Sequence, residues 1–276
     1  MFDQVSIIGC GLIGSSIFKG LKKVGSIKKI ITYDKDKEVS EIIKKDKLSD
    51  EIFNSAGEAV NNSDLVVIAT PLSSFESVLN SIKDNLKTGS ILTDTCSVKI
   101  GVGKIFNKLN LKNSTCVPGH PVAGTENSGP KAGTIDLFKN RWTILTPNKD
   151  VDEKAIKKVS NFWESLGSKV KVMSDEDHDK ILSFTSHLPH AIAYNIVQTS
   201  MSHNEKIRED IIRYSAGGLR DFTRIAASDP TMWRDIFIDN SANILKVLDE
   251  FSKNIDYFKK AIAEKNGDKL LKIFAS

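Results

Sequence analysis

The sequence has few cysteines, no long apolar run and no strong excess of charge of either sign. Its three cysteines, Cys10, Cys96 and Cys116, show no C-x-x-C spacing, so we expect free thiols in a reducing compartment rather than a disulfide scaffold. No apolar run approaches the roughly 18 residues that a membrane-spanning helix needs. Residues 1–4 lack the basic leader of a signal peptide. We therefore expect a cytoplasmic protein without a membrane partner.

The charge is nearly balanced along the chain. Lysine and arginine number 39 against 35 acidic residues, a formal charge of +4 with no block of one sign, so we do not expect a nucleic-acid partner. With 276 residues, 40% of them hydrophobic, the chain can bury a substantial core. This length and composition predict one large domain or two unequal ones and exclude a disordered chain.

Short apolar runs alternate with helical periodicity in the first part of the chain. The runs at 5–8, 29–33 and 65–69 do not alternate in polarity, which indicates strands covered on both faces. This is typical of a doubly wound α/β domain with a parallel sheet. Further strands are predicted at 90–94, 115–118, 142–146 and 169–173.

Helical periodicity replaces the strand pattern after Ser174, so we place a domain boundary there and predict domains at 1–173 and 174–276. Asp229 and Pro230 form a strong helix start, because an aspartate can cap free backbone N–H groups and proline suits the first turn. A long apolar stripe follows, which exceeds what one small domain can cover and favours a homodimer through these helices. Its residues are Ile236, Phe237, Ile244, Leu245, Leu248, Phe251, Ile255, Phe258 and Ile262.

A glycine motif lies between the first predicted strand and helix. Gly9, Gly11 and Gly14 form G-x-G-x-x-G, which permits a tight turn, close approach of a pyrophosphate and close helix packing. Asp34 ends the second strand. A carboxylate at this position binds a ribose hydroxyl and repels a 2′-phosphate, so we predict NAD rather than NADP. Lys35 and Lys37 could still neutralise the charge of such a phosphate. The alternative is an ordinary turn with Asp34 as a solvated strand end. The predicted cofactor-binding residues are Gly9, Gly11, Leu12, Ile13, Gly14, Asp34, Thr70 and Pro71.

Four further motifs follow in order along the chain. They are TDTCSVK at 93–99, GHPVAGTE at 119–126, SHLPH at 186–190 preceded by His178 and Asp179, and GGLRDFTRIA at 217–226 with SDPTMW at 228–233. Together with the glycine motif, they resemble the prephenate dehydrogenase family, which includes arogenate and cyclohexadienyl dehydrogenases of tyrosine biosynthesis. The resemblance implies an N-terminal Rossmann-type NAD-binding domain joined to a C-terminal all-helical dimerisation domain.

The resemblance also implies a reaction, the NAD-dependent oxidative decarboxylation of prephenate to 4-hydroxyphenylpyruvate. His120 would then accept the proton of the 4-hydroxyl group, and Ser97 would contact that hydroxyl and the nicotinamide region. A neutral imidazole suits this task near pH 7. We expect His120 in a constrained loop after a strand, between Pro118 and Pro121. The alternative for His120 is a structural histidine, and the alternative for Ser97 is a serine that caps a helix or lies in a turn.

The substrate-binding residues implied by the resemblance lie in the helical part. Arg224 would hold a carboxylate, because a guanidinium binds both oxygens in a flat fork, and Arg220 could face the same pocket if this stretch is helical. The alternative for Arg224 is a surface ion pair with Asp221. His190 would line the pocket, with His187 on the same helix face. The alternative for His187 is a histidine that is hydrogen-bonded within the helix packing, and the alternative for Arg220 is a position on a solvated helix face. Trp233 would approach the partner subunit's pocket. The simpler explanation for a tryptophan at this position is packing in the core of its own chain.

The sequence leaves other interpretations open. The spacing of His187 and His190 lacks an H-E-x-x-H pattern, so we predict no metal site. The substrate could be arogenate, alone or together with prephenate. A β-hydroxyacid dehydrogenase of two domains is less favoured, because those enzymes use a lysine of the helical domain and no matching motif occurs. A dinucleotide sensor without turnover is the remaining alternative, because a fold does not determine a function.

Overall fold

The structure is a computed structural model that describes residues 2–109, 111 and 113–275. The strands are β1 Gln4–Ile8, β2 Lys29–Tyr33, β3 Glu51–Ile52, β4 Leu65–Ile68, β5 Ser90–Asp94, β6 Ser114–Cys116, β7 Gly119–Val122, β8 Trp142–Leu145 and β9 Lys169–Val172. The helices of the first part are α1 Leu12–Val24, α2 Lys37–Lys45, α3 Ala56–Val60, α4 Leu72–Ile82, α5 Ile100–Leu109 and α6 Glu153–Ser165. Those of the second part are α7 Asp175–Leu182, α8 Leu188–Met201, α9 Glu205–Arg213, α10 Gly217–Ala226, α11 Pro230–Asp239, α12 Ser241–Ala263 and α13 Gly267–Ala275.

A six-stranded parallel sheet forms the centre of the first part, in the order β3-β2-β1-β4-β5-β6. Its central strands are almost wholly buried, as their continuous apolar runs predicted. One apolar cluster covers one face with residues of α1 and α6, and a second cluster covers the other with residues of α3, α4 and α5. The doubly wound fold predicted from the sequence is confirmed.

A second sheet of three strands, in the order β7-β8-β9, follows the first. β7 runs antiparallel to β8, and β9 runs parallel to it. The sequence did not predict β7, and the expectation that His120 lies in a loop is wrong, because His120 pairs with Ile144 within this ladder. Pro118 lies just before β7 and Pro121 lies within it, and prolines disfavour a strand because they lack an N–H donor. Pairing with β8 nevertheless makes this segment a strand. The two-residue strand β3 was also missed.

The described residues of the second part form helices joined by short turns, with no strand among them, as predicted. A π-helical turn, Ser183–His187, joins α7 to α8. α11 begins with the predicted cap, since the Asp229 side chain accepts a hydrogen bond from the Met232 N–H group and Pro230 occupies the first turn. The apolar stripe is divided between α11 and α12, which are separated at Asn240. The boundary between 173 and 174 stays a prediction.

None of the helices in the described ranges combines the length and apolar character needed to cross a membrane.

Candidate active site

The glycine loop, residues 9–14, connects the end of β1 to the start of α1 and forms a cradle of backbone atoms. Gly9 has a φ of 94°, and a β-carbon there would lie 2.6 Å from the Ala69 carbonyl oxygen, so only glycine fits. A β-carbon on Gly14 would collide with the Gly9 carbonyl oxygen, whereas Gly11 faces open space. No side chain caps the start of α1. Its first N–H groups and helix dipole are therefore suited to a pyrophosphate, and Leu12 and Ile13 begin that helix.

Asp34 lies beside this loop rather than at a freely solvated strand end. One oxygen of its carboxylate accepts a hydrogen bond of 2.7 Å from the Cys10 N–H group, and the other accepts one of 2.9 Å from Asp36. The half-buried carboxylate is thus fixed next to the loop that would hold the pyrophosphate. This placement matches a group that binds ribose hydroxyls.

Thr70 connects the glycine loop to the segment that carries Ser97. A β-carbon on Gly9 would lie 3.0 Å from the Thr70 methyl group, and Pro71 directly precedes α4. On its other side, the Cys96 thiol lies 4.0 Å from the Thr70 carbonyl oxygen. Ser97 itself is half-buried. The ends of β1, β4 and β5 therefore meet along one edge of the sheet, where open α/β sheets bind ligands.

A buried ion pair fixes the backbone on both sides of this edge. The Lys99 ammonium donates to the Asp94 carboxylate at 2.5 Å and to the Gly119 carbonyl oxygen at 2.7 Å, and both charged side chains are fully buried. Asp94 also accepts bonds from the N–H groups of Cys96 and Gly119. The pair thus ties the segment of Ser97 to the residue before His120.

His120 is buried at the start of β7 and faces the helical part of the chain. Its Nδ1 lies 2.8 Å from Nε2 of His178, and Nδ1 of His178 lies 2.7 Å from the Asp179 carboxylate. Asp179 also accepts hydrogen bonds from the N–H groups of Lys99 and Ile100 at the start of α5. Asp179 therefore caps α5, the role considered above for Ser97. We call Asp94, Lys99, His120, His178 and Asp179 the junction network.

The histidines of this region are neutral at pH 7. Burial holds the pKa of His120 well below its usual range, and His178 and Lys99 lower it further. Burial also lowers the pKa of His178, although Asp179 acts in the opposite direction. The pKa of His187 falls to about 4, mainly through burial. A neutral His120 can act as a proton acceptor.

His187, His190 and Trp233 meet next to the junction network. The His190 ring stacks on Trp233 with centroids 3.6 Å apart, and His187 meets the same indole edge-on at 6.1 Å. Asn240 bridges this group to the network, because its amide donates to Nδ1 of His187 and to the Asp179 carbonyl oxygen. Trp233 also packs with Val98, the neighbour of Ser97. Trp233 thus packs within its own chain, and its approach to a partner stays a prediction.

The two arginines lie away from these contacts on the exposed surface of α10. This stretch is helical, as the prediction for Arg220 required. The Arg224 side chain is 58% exposed and lies 3.8 Å from Asp221, which is the surface pair considered as its alternative. α10 packs against α8, the helix that carries His190. Binding of a carboxylate by Arg224 or Arg220 stays a prediction.

Sequence reasoning gave no role to His178, Asp179, Asp94 or Lys99. The first two were quoted in a motif, and the others lie in TDTCSVK, but nothing local indicates that they meet. A usable signal was the charge of Asp94 and Lys99 beside a strand of buried residues, since buried charges are paired. Among the described residues no group of histidine, cysteine and acidic side chains could hold a metal ion.

Comparison with known proteins identifies the family of the chain. The family model "Prephenate dehydrogenase, nucleotide-binding domain" matches residues 17–172, and "Prephenate dehydrogenase, dimerization domain" matches 174–276. The chain is 40% identical over 274 residues to the cyclohexadienyl dehydrogenase of Zymomonas mobilis, covering 99% of this chain and 93% of that protein. It is 33% identical to the prephenate dehydrogenase of Bacillus subtilis, covering 99% of this chain and 74% of that protein.

A solved structure extends this comparison to the whole fold. The crystal structure of prephenate dehydrogenase from Aquifex aeolicus in complex with hydroxyphenyl propionate and NAD+ superposes with a TM-score of 0.90. The two sequences are 34% identical, and the match covers 100% of this chain and 96% of that one. Two family models that together span most of the sequence, and relatives above 30% identity, lead to one conclusion: this chain belongs to the prephenate dehydrogenase family.

Proposed function

We propose that this chain catalyses the NAD-dependent oxidative decarboxylation of prephenate to 4-hydroxyphenylpyruvate, a step of tyrosine biosynthesis. The observation that carries the proposal is the buried, neutral His120, held next to the segment of Ser97 where the two parts of the chain meet. The family and the names of the relatives support this reaction class. A β-hydroxyacid dehydrogenase is not favoured by these findings.

The residues at the sheet edge fit a dinucleotide. Gly9 and Gly14 permit the tight turn and the close packing of α1, and Gly11 faces the open space that a pyrophosphate needs. The carboxylate of Asp34 is fixed beside them. NAD, when bound, accepts the hydride that leaves the ring carbon bearing the hydroxyl group. The Aquifex aeolicus structure contains NAD+, which supports NAD as the cofactor here. Thr70 and Pro71 would line the cradle at the end of β4.

In the proposed mechanism, His120 takes the proton of the 4-hydroxyl group as the hydride leaves the same carbon. The ring then carries a carbonyl group, and the bond to its carboxylate breaks to release CO2. The electron pair of that bond completes the aromatic ring and places negative charge on the ring oxygen. His120 returns the proton to this oxygen, so the reaction releases no net proton. Ser97 would hold the hydroxyl group in line with His120.

The substrate's two carboxylates need cationic or donor groups, which the helical part supplies. His190 would line the pocket through its stack on Trp233, but its Nδ1 donates to the Ser186 carbonyl oxygen, so a neutral His190 has no further N–H group to donate. His187 accepts from Asn240 at Nδ1 and therefore keeps an N–H donor at Nε2. Arg224 is available for a carboxylate, because its 3.8 Å pair with Asp221 is exposed and such pairs contribute little. Arg220, one turn earlier on the same helix, would assist. A guanidinium can hold a carboxylate through two parallel hydrogen bonds.

We also propose that the protein is a homodimer. Six large apolar side chains of the helical part are each more than 60% exposed in the single chain, and exposed apolar surface of this kind marks an interaction site. The match to a dimerization domain supports a second copy as the partner. The exposed residues are Ile212, Tyr214, Ile238, Leu245, Leu271 and Phe274.

The direct test is to incubate the purified protein with NAD and prephenate. We expect reduced cofactor and CO2 to appear in equal amounts, with 4-hydroxyphenylpyruvate as the organic product. Saturable NAD binding without turnover of prephenate or arogenate would instead support a sensor and would contradict the proposal. Turnover of arogenate alone would replace prephenate as the substrate. Replacing NAD by NADP in the same assay tests the role of Asp34.

A further inference from the structure

The hydrogen bonds of Asp179 determine which nitrogen of His178 carries its proton. Both oxygens of Asp179 accept bonds from backbone N–H groups, Oδ1 from Lys99 at 2.8 Å and Oδ2 from Ile100 at 2.9 Å. The carboxylate is thus an acceptor on both sides. The third bond, 2.7 Å between Oδ1 and Nδ1 of His178, therefore needs its proton on Nδ1.

The proton position on His178 in turn determines the proton position on His120. A neutral imidazole has one N–H donor and one acceptor nitrogen, so a His178 protonated at Nδ1 presents an acceptor at Nε2. That atom lies 2.8 Å from Nδ1 of His120, which must donate to it. The only proton of a neutral His120 is therefore on Nδ1, and its Nε2 carries a free lone pair.

We infer that Asp179 and His178 are positioning residues that fix His120 in the tautomer with an unprotonated Nε2, the atom that accepts the proton of the substrate's hydroxyl group. The inference rests on the proposed function, which makes His120 the proton acceptor. The same chain of bonds stabilises His120 after it has taken the proton, because His178 continues to accept from Nδ1. The proton then leaves Nε2 for the ring oxygen of the product.

The other charged groups around His120 are consistent with this assignment. Lys99 and His187 both lower its pKa, after burial and His178. The Lys99 ammonium is bound by Asp94 and the Gly119 carbonyl oxygen, and Nδ1 of His187 is bound by Asn240. Burial lowers the pKa of His178 as well, which keeps one proton on each ring near neutral pH.

The first experiment measures the tautomer of His120 in the unsubstituted protein. The full-length protein is labelled with isotopic nitrogen in its histidines, and long-range proton–nitrogen correlation spectra are recorded near neutral pH. The His120 signals are assigned by their loss in His120→Asn. We expect the pattern of a proton on Nδ1 and none on Nε2. The reverse pattern, or a rapidly averaged mixture, would overturn the inference.

The second experiment separates positioning from folding. His178→Phe removes the acceptor, and we expect kcat to fall by about tenfold to a hundredfold with KM changed less than about threefold, because a misoriented base loses part of its contribution. His178→Gln offers a carbonyl oxygen that can accept from Nδ1 of His120, so it should recover most of the lost kcat. In His178→Phe, the His120 spectrum should show mixed tautomers, whereas His178→Gln should retain the Nδ1 proton.

His203→Gln is the matched control, because His203 is exposed and lies outside the site; its kcat should equal that of the unmodified chain. If His178→Phe left both kcat and the His120 tautomer unchanged, the inference would be wrong. Failure of the proposed function is distinguishable, because a protein without turnover could still show the fixed tautomer. Turnover of prephenate with the opposite tautomer would contradict the positioning role alone.

Discussion

The glycine loop and the junction network are built in opposite ways. The loop spans six consecutive residues, and its shape depends on glycines, because a β-carbon at Gly9 or Gly14 would collide with the backbone. The network depends on charged and polar side chains that are buried completely or nearly so and come from segments up to 85 residues apart, from Asp94 to Asp179. The comparison teaches that a local steric requirement can be recognised in one sequence, whereas a network of distant partners cannot.

The largest expected effect comes from removing the imidazole of the junction network. His120→Asn should lower kcat by about two to four powers of ten, because general-base assistance is lost, while NAD affinity, a property of the glycine loop, should change little. Steady-state kinetics and NAD titration measure the two quantities separately. Unchanged turnover would remove His120 from the mechanism.

The next effect concerns stability rather than turnover. Lys99→Met leaves the fully buried Asp94 without its counter-charge and should cost about 3 to 5 kcal/mol of unfolding free energy. The matched control is Lys108→Met, which breaks an exposed pair of 2.6 Å with Glu76 and should cost less than about 1 kcal/mol. Denaturant unfolding measures both. Equal losses would mean that burial of the pair does not determine its importance.

Two alanine substitutions test the glycine loop. Gly14→Ala should cost about 1 to 3 kcal/mol of stability, because its new β-carbon collides with the Gly9 carbonyl oxygen. Gly11→Ala meets no atom within 4 Å, so the fold should tolerate it, whereas NAD affinity should fall because a pyrophosphate can no longer approach. Thermal unfolding and NAD titration separate the two. Undiminished NAD affinity in Gly11→Ala would contradict the proposed cradle.

Arg224→Ala tests whether the exposed α10 belongs to the site. Loss of one charge-assisted contact to a carboxylate is worth about 1.5 to 3 kcal/mol, so KM for prephenate should rise roughly tenfold or more with a smaller change in kcat. Arg213→Ala, another exposed arginine paired with an aspartate three residues away, is the control. If KM for prephenate did not change, the carboxylate would be assigned to Arg220 instead.

The most gradual effect is a dependence of stability on pH, which for one histidine amounts to at most about 1.4 kcal/mol per pH unit. The native pKa of His187 is about 4, against an ordinary value of 6.5. Between these values the unfolded chain binds a proton that the native chain does not, so the free energy of unfolding should fall as pH decreases from 6.5 towards about 4. Denaturant unfolding across this range measures the slope. His187→Gln should reduce this slope, to which the lowered pKa values of His120 and His178 also contribute, whereas His203→Gln should leave it unchanged.

Much of the fold was predictable because its signals are local. The apolar runs of β1, β2 and β4, the glycine motif and the Asp229 cap each act within a few residues, and the structure confirms them. β7 was missed because its pairing with β8 is made across about 20 intervening residues. The position of His120 in that strand could therefore not be derived from its flanking prolines.

The site was predictable only in part, for a similar reason. The resemblance selected His120, and the structure places it beside His178, which no periodicity in the sequence connects to it. The packing of Trp233 on His190 likewise depends on two helices that meet only in the folded chain. Arg220 and Arg224 differ from these residues, because both are exposed in the folded chain. Their proposed ligand, a substrate carboxylate, lies outside the chain, so neither the sequence nor the fold determines that contact.

The position of Asp179 limits how this enzyme could be divided. A chain cut between residues 173 and 174 would keep every strand and the glycine loop but would lose the carboxylate that caps α5 and, with it, the support of His120. The fragment 1–173 would then retain the glycine loop, but His120 would have lost its hydrogen bond to His178. Swapping helical segments between relatives at residue 174 would therefore also exchange the support of His120, whereas a junction after α7 would leave His178 and Asp179 in the same segment as His120.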